Sequence, residues 1–184
     1  SRNVVFLGLV SFLTDVSSEM TLTVLPLFLA NTLGFTTVAI GVIEGFAETT
    51  ASLSKIASGW LSDKLRQRKA LTLVGYGLSA ISKPLLYFAA AWMPVFAIRI
   101  ADRVGKGVRT SPRDALIADS TPPESRGLSF GLHRALDTAG AVVGLGLVAL
   151  IVFLGQRTQL KLDQETYQTL VLVAALPGFL ALLI

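Results

Sequence analysis

The chain reads as an all-α membrane protein, a bundle of six transmembrane helices, and three observations predict this. Six long apolar stretches, most joined by short polar connections, divide its 184 residues; about 20 apolar residues suffice to cross a bilayer. Hydrophobic residues make up 52% of the chain, above the roughly 45–50% usual for soluble domains. Ionisable residues recur inside the apolar stretches at helical spacing. A charge in mid-span is costly, so it marks a substrate or ion pathway, or a structural ion pair.

The first span covers residues 3–33, with Pro26 expected to bend its outer half. Gly34 to Thr37 form a short connection to the second span, residues 38–61. A tight basic loop, Asp63 to Lys69, precedes the third span at 70–91, and the turn ending at Pro94 opens the fourth at 94–118. Pro122 and Pro123 break the helix before the fifth span at 125–154. Residues 156–168 are the most polar stretch and the longest loop, and a sixth span begins near Thr169 and runs to 184. The whole of 1–184 is then one transmembrane bundle. Because the chain opens at Ser1 and stops at Ile184 inside an apolar run, it is expected to be part of a longer protein. No cleavable signal peptide is expected, since the first apolar stretch is too long and carries Asp15 and Glu19.

Basic residues in short loops set orientation. Arg2, Lys64, Arg66, Arg68, Lys69 and Arg126 gather on one side, against Arg157 and Lys161 on the other, where Asp163 and Glu165 offset them. A cytoplasmic amino terminus follows, in a multi-pass protein of the bacterial inner membrane. A net charge of +4 invites nucleic acid as a partner, but these basic groups lie in short loops and inside apolar spans rather than on one water-facing patch. Nucleic-acid binding is not expected. The absence of cysteine excludes disulfides, thiolate metal sites and a cysteine nucleophile.

At 100° per residue, Arg99, Asp102, Arg103, Lys106, Arg109 and Arg113 fall within about 120° of one helix face. Lipid contact would cost on the order of 3 kcal/mol per charge, so the stripe must face protein or water. Counter-charges are at hand. Asp15 and Glu19 share a face of the first span, and Glu44 and Glu48 share one of the second. Ser11, Thr14 and Ser18 widen the first face; Ser52 and Lys55 extend the second. The fifth span adds His133, Arg134 and Asp137, and the third adds Lys83 before Pro84. Arg113, Asp114, Arg134 and Lys55, near the cytoplasmic ends, are expected to pair structurally. Asp15, Glu19, Glu48, Arg103 and Lys106 are expected near mid-membrane in a functional role. Paired buried carboxylates repel, which suits proton exchange and equally suits a hard divalent cation. His133 is open between pairing partner, proton or substrate group, and metal ligand.

The loop from Gly59 through Asp63 to Lys69 closely resembles the major facilitator superfamily signature G-x-L-x-D-R/K-x-G-R/K-R/K. It departs from the pattern at Arg66, where the family has glycine, and at Gln67, where it has a basic residue. Arg66 and Arg68 remain to serve its charge relay. Arg103 and Gly107 resemble the fourth-span R-x-x-x-G pattern, and Pro112 through Asp119 to Gly127 resemble the end of that span and the following loop. Gly131, Gly140 and Gly144 match in part the glycine spacing of the family's antiporter motif, with Leu145 in place of proline; helix packing accounts for Gly140 and Gly144 equally well.

The resemblance implies the first half of a twelve-helix fold, built from two inverted three-helix repeats, with substrate held between the halves. It also implies a secondary active transporter of a small molecule or ion working by alternating access in the lipid membrane. A C-terminal six-helix half would be its partner. Pathway roles fall on Asp15, Glu19, Glu44, Glu48, Arg99, Arg103, Lys106, His133 and Asp137. A conformational latch falls on Gly59, Asp63, Arg66, Arg68, Asp119 and Arg126. Coupling to protons is expected, with import or export left open and the partial antiporter motif pointing to export; a divalent metal-ion transporter and a non-transporting receptor or sensor are the alternatives. No catalysis, resident metal or cofactor is expected. The sequence lacks a phosphate-binding G-x-x-x-x-G-K-S/T loop, so a proton or cation gradient would supply the energy.

Overall fold

The computed structural model describes residues 1–155 and 162–184; Arg157 and Lys161, with most of the expected long loop, lie outside the described residues. Seven α-helices follow one another, and no strand occurs among the described residues: α1 (Arg2–Leu22), α2 (Leu25–Asn31), α3 (Thr37–Leu65), α4 (Arg68–Leu85), α5 (Trp92–Asp119), α6 (Arg126–Gly155) and α7 (Gln164–Leu180). The helix breaks between α1 and α2 at Thr23 and Val24. Pro26 sits in the first turn of α2, where a missing N–H deprives no intrahelical bond. The two pieces therefore make one broken span, and the bundle has six.

By length and composition alone, Arg2–Asn31 and Pro123–Gly155 are apolar enough to cross a membrane. α3 and α5, of 29 and 28 residues, extend over about 42 Å at 1.5 Å per residue, well beyond a hydrocarbon core of about 30 Å. Their charges lower their average hydropathy but turn inward. α4 shows the inversion best. It buries Thr72, Gly75, Tyr76, Ser79, Ser82 and Lys83 while exposing Leu73, Val74, Ile81 and Leu85. Polar residues fill the interior and apolar ones cover the outside, as a lipid solvent requires.

The packing follows an internal symmetry. The spans pair first with fifth (α1 on α6), second with fourth (α3 on α5) and third with sixth (α4 on α7). Third also packs on fourth (α4 on α5), and sixth on first (α7 on α1). Exchanging spans one, two and three for four, five and six maps this set onto itself, the pattern of two three-helix repeats. Glycines set the closest crossings. A Cβ on Gly75 of α4 would stand 2.7 Å from the Gly105 carbonyl of α5, and one on Gly144 of α6 would stand 2.8 Å from the Val16 carbonyl of α1. Beyond these crossings, an apolar cluster around Met20, Leu25, Phe28, Leu29 and Tyr167 closes one end, with Phe28 stacked on Tyr167 at 4.0 Å. The other end carries the α3–α4 turn and the start of α6, and is called the basic end below.

Candidate functional site: a charged cavity and a latch at the basic end

A cavity of about 350 Å³ opens between α1, α2, α3 and α5, lined by Asp15, Ser18, Glu19, Glu44, Arg99, Asp102, Arg103, Lys106 and Arg109. The charged stripe of α5 reaches it in two different ways. Arg99, Asp102 and Arg109 are buried in the bundle, whereas Arg103 is only partly covered and Lys106 is exposed. Arg99 donates to both oxygens of Glu44, its Nε at 3.0 Å from Oε1, and lies 3.7 Å from Asp102. Arg103 pairs with Glu48 at 3.1 Å. The facing carboxylates of α3 thus each meet an arginine of α5. Two buried donors lack a hydrogen-bond partner among the described residues: Arg99 Nη1, which has Asp102 at 3.7 Å, and Arg103 Nε. Lys106 has no ion pair among the described residues, and Glu19 accepts only a hydrogen bond from Thr23, one turn on in its own chain segment.

Arg109 borders the cavity but directs its guanidinium to α4. Its Nη1 donates to Ser79 Oγ at 2.8 Å, and its guanidinium lies 4.7 Å from the centre of the Tyr76 ring. Ser79 Oγ in turn donates to the Asp102 carbonyl at 3.1 Å. Lys83, 2% exposed, donates from Nζ to Ser18 Oγ at 2.7 Å and has no carboxylate within ion-pair distance among the described residues. Ser79 and Tyr76 were not legible as site residues. A serine and a tyrosine in an apolar helix become significant only once the arginine opposite them is known.

A second polar cluster joins α1, α5 and α6. Ser11 Oγ donates to Asp137 Oδ1 at 2.7 Å, and Arg113 Nη1 lies 3.4 Å from Ser11 Oγ. Asp15 stands one turn from Ser11 on the same face of α1. Arg113 pairs with its neighbour Asp114 at 2.9 Å. Arg134 is largely exposed and reaches Asp137 only at 3.6 Å. His133 is 4% exposed, and its Nε2 is buried without a hydrogen-bond partner. Asp15 and Glu19, which share a helix face, both line the cavity, and Thr23 donates to Glu19. Among the described residues no three of His, Asp or Glu come together in an arrangement able to hold a metal ion.

At the basic end Arg68 bridges two carboxylates, donating from Nη1 to Asp119 and lying 3.4 Å from Asp63 with Nη2. This arginine ties the end of α3 to the end of α5 and borders a cleft of about 850 Å³. Arg66 takes no part. It terminates α3 with φ 54° and ψ 26°, the one non-glycine residue in the left-handed region among those described, and its side chain is exposed. A glycine fits such a helix end without the Cβ clash. Gly59 lets α3 approach Ser111 of α5, whose hydroxyl donates to the Lys55 carbonyl at 2.9 Å. Arg126 is exposed at the start of α6 and makes no ion pair among the described residues.

A six-span bundle with a charged cavity and a charge-paired turn between its second and third spans is the scaffold of an integral membrane protein. The family model of the Major Facilitator Superfamily matches residues 7–184, and the chain belongs to that family. It is 39% identical over 184 residues to an uncharacterised MFS-type transporter of Methanocaldococcus jannaschii, covering 100% of this chain and 44% of the relative. It is 35% identical over 181 residues to an uncharacterised protein of Mycobacterium tuberculosis, covering 98% of this chain and 42% of that protein. Its fold resembles a bacterial homologue of the human lysosomal transporter Spinster in an inward-facing, occupied conformation, with a TM-score of 0.77 at 19% identity over 98% of this chain and 42% of the other. The chain thus spans less than half the length of these proteins.

Proposed function

We propose that this chain is the first half of a proton-coupled secondary transporter for a small anionic or zwitterionic solute, working by alternating access with a second six-helix half. A positive charge left over in the cavity carries this reading. Glu44 and Glu48 are taken up by Arg99 and Arg103, while the exposed Lys106 ammonium lines the cavity with no ion pair among the described residues. A carboxylate or phosphate of the solute is the natural acceptor, since charge-assisted bonds to an ionised donor are the strong ones. Asp15 and Glu19 complete a mixed-charge wall that suits a zwitterion.

Arg68, with Asp63 and Asp119, would latch one conformation, and the basic end would face the cytoplasm of a bacterial inner membrane. The glycines at 140 and 144, packed on α1, leave the expectation of export resting on spacing alone. In vesicles holding the complete transporter, an imposed pH gradient should drive solute flux. Arg103→Ala or Lys106→Ala should weaken solute binding at least tenfold; unchanged affinity in both variants counts against the anion reading. Displacement of solute by divalent cations would move the assignment to a metal-ion carrier.

A further inference from the structure

We propose that a crevice at the basic end, between α1, α4 and the close of α5, seats one acidic phospholipid, with the headgroup phosphate on Lys69 and an acyl chain along the apolar wall. The crevice has a volume of about 330 Å³ and shares no lining residue with the charged cavity. Its chemistry changes with depth. Lys69, Asn3 and Ser120 stand at helix ends and form a polar rim, where Asn3 donates to Ser120 Oγ at 3.2 Å. Val10 and Tyr76 line it seven residues further along α1 and α4, about 10 Å deeper at 1.5 Å per residue. Phe6 and Leu73 lie between these levels, and both are exposed on the outside of the bundle, so the slot opens sideways.

The rim sits at the level of the lipid headgroups. Trp60, exposed near the end of α3, has the Lys64 ammonium 4.8 Å from its ring centre, and an exposed tryptophan with a lysine beside it marks a membrane–water boundary. A slot that is polar at this level and apolar for about 10 Å below it fits an amphiphile standing along the membrane normal. Charge selects the headgroup. Lys69 is exposed and makes no ion pair or side-chain hydrogen bond among the described residues. It also borders the neighbouring cleft, but the two carboxylates there, Asp63 and Asp119, are both engaged by Arg68. The rim therefore keeps a positive charge for a phosphate, in the manner of basic pockets between membrane helices that hold acidic headgroups.

The site requires a bilayer but no transport, so it stands or falls apart from the carrier reading. The complete transporter, purified in mild detergent, is offered equal amounts of phosphatidylglycerol and phosphatidylethanolamine with the same acyl chains and weighed by native mass spectrometry. Phosphatidylglycerol should be retained about fivefold over phosphatidylethanolamine, the effect of one basic side chain at an anionic surface. Lys69→Gln should bring that ratio to about one, while Lys64→Gln, at the same end but outside the crevice, should leave it unchanged. Phosphatidylglycerol with a photoreactive group on its acyl chain should label residues 6–10 and 69–76, and water-soluble glycerol phosphate should not displace it. A ratio near one in the unaltered protein, or one that survives Lys69→Gln, overturns the site. An equal loss in Lys64→Gln assigns the preference to the basic surface at large and overturns it too. Labelling that misses this wall, or displacement by glycerol phosphate, shows that no lipid chain occupies the crevice.

Discussion

Replacing Arg66 with glycine should stabilise the protein, and the size of the effect can be worked from the backbone. Arg66 holds φ 54° and ψ 26° at the end of α3, and its exposed side chain makes no ion pair or hydrogen bond among the described residues. For an L-residue this conformation costs roughly 1–2 kcal/mol, because Cβ crowds the following carbonyl. Glycine removes that cost but adds roughly 0.4–1 kcal/mol of freedom to the unfolded chain. The net gain is about 0.5–1 kcal/mol, or about 1–4 °C for a chain of this length. Thermal unfolding in mild detergent, followed by circular dichroism at one scan rate, measures it. Gly34 supplies the mirror control. Its φ is 68°, and an added Cβ would meet nothing within 4 Å, so Gly34→Ala should lower the midpoint by a similar amount. A midpoint that falls in Arg66→Gly would show that the arginine contributes more through its side chain than it loses through its backbone.

Three further outcomes follow from the packing and the ion pairs. Glu44→Ala strands a guanidinium that is 2% exposed, with only Asp102 at 3.7 Å to balance it; a loss of about 2–4 kcal/mol is expected, and Arg99→Ala in the same background should recover part of it in a double-mutant cycle. Gly75→Ala places a Cβ 2.6 Å from the Arg109 backbone nitrogen, so α4 and α5 must separate, at a cost of about 1–3 kcal/mol in denaturant unfolding. Arg68→Ala removes exposed contacts of small worth and should barely move the unfolding midpoint, while changing the rate of flux in the complete transporter; a large stability loss with unaltered flux would make Arg68 a staple rather than a latch.

Periodicity made the azimuth of each charge legible but not its neighbour. The α5 stripe was readable because residues three and four apart share a helix face whatever the fold. Its division, with Arg109 sent into α4 and Lys106 into the cavity, depends on where Ser79 and Tyr76 stand, and helical spacing does not specify that. Asp15 and Glu19 looked like one acidic face for the same reason, and both do line the cavity, but helical spacing gave no sign that Thr23 takes up Glu19. At the basic end the sequence pointed to Arg66 and Arg68 alike. The backbone separates them: a residue committed to ending a helix in the left-handed region aims its side chain outward, and only Arg68, at the start of the next helix, faces both carboxylates.

The glycine crossings of α4 on α5 and α6 on α1 carry a mechanical consequence. Backbones so close that an added Cβ would fall within three ångströms of the facing carbonyl leave no slack for one helix to slide against another, so these spans must tilt together as a single lever. On the carrier reading proposed above, the motion that admits and releases a solute would be confined to the seam with a second half, and a cross-link placed within the six should leave turnover untouched.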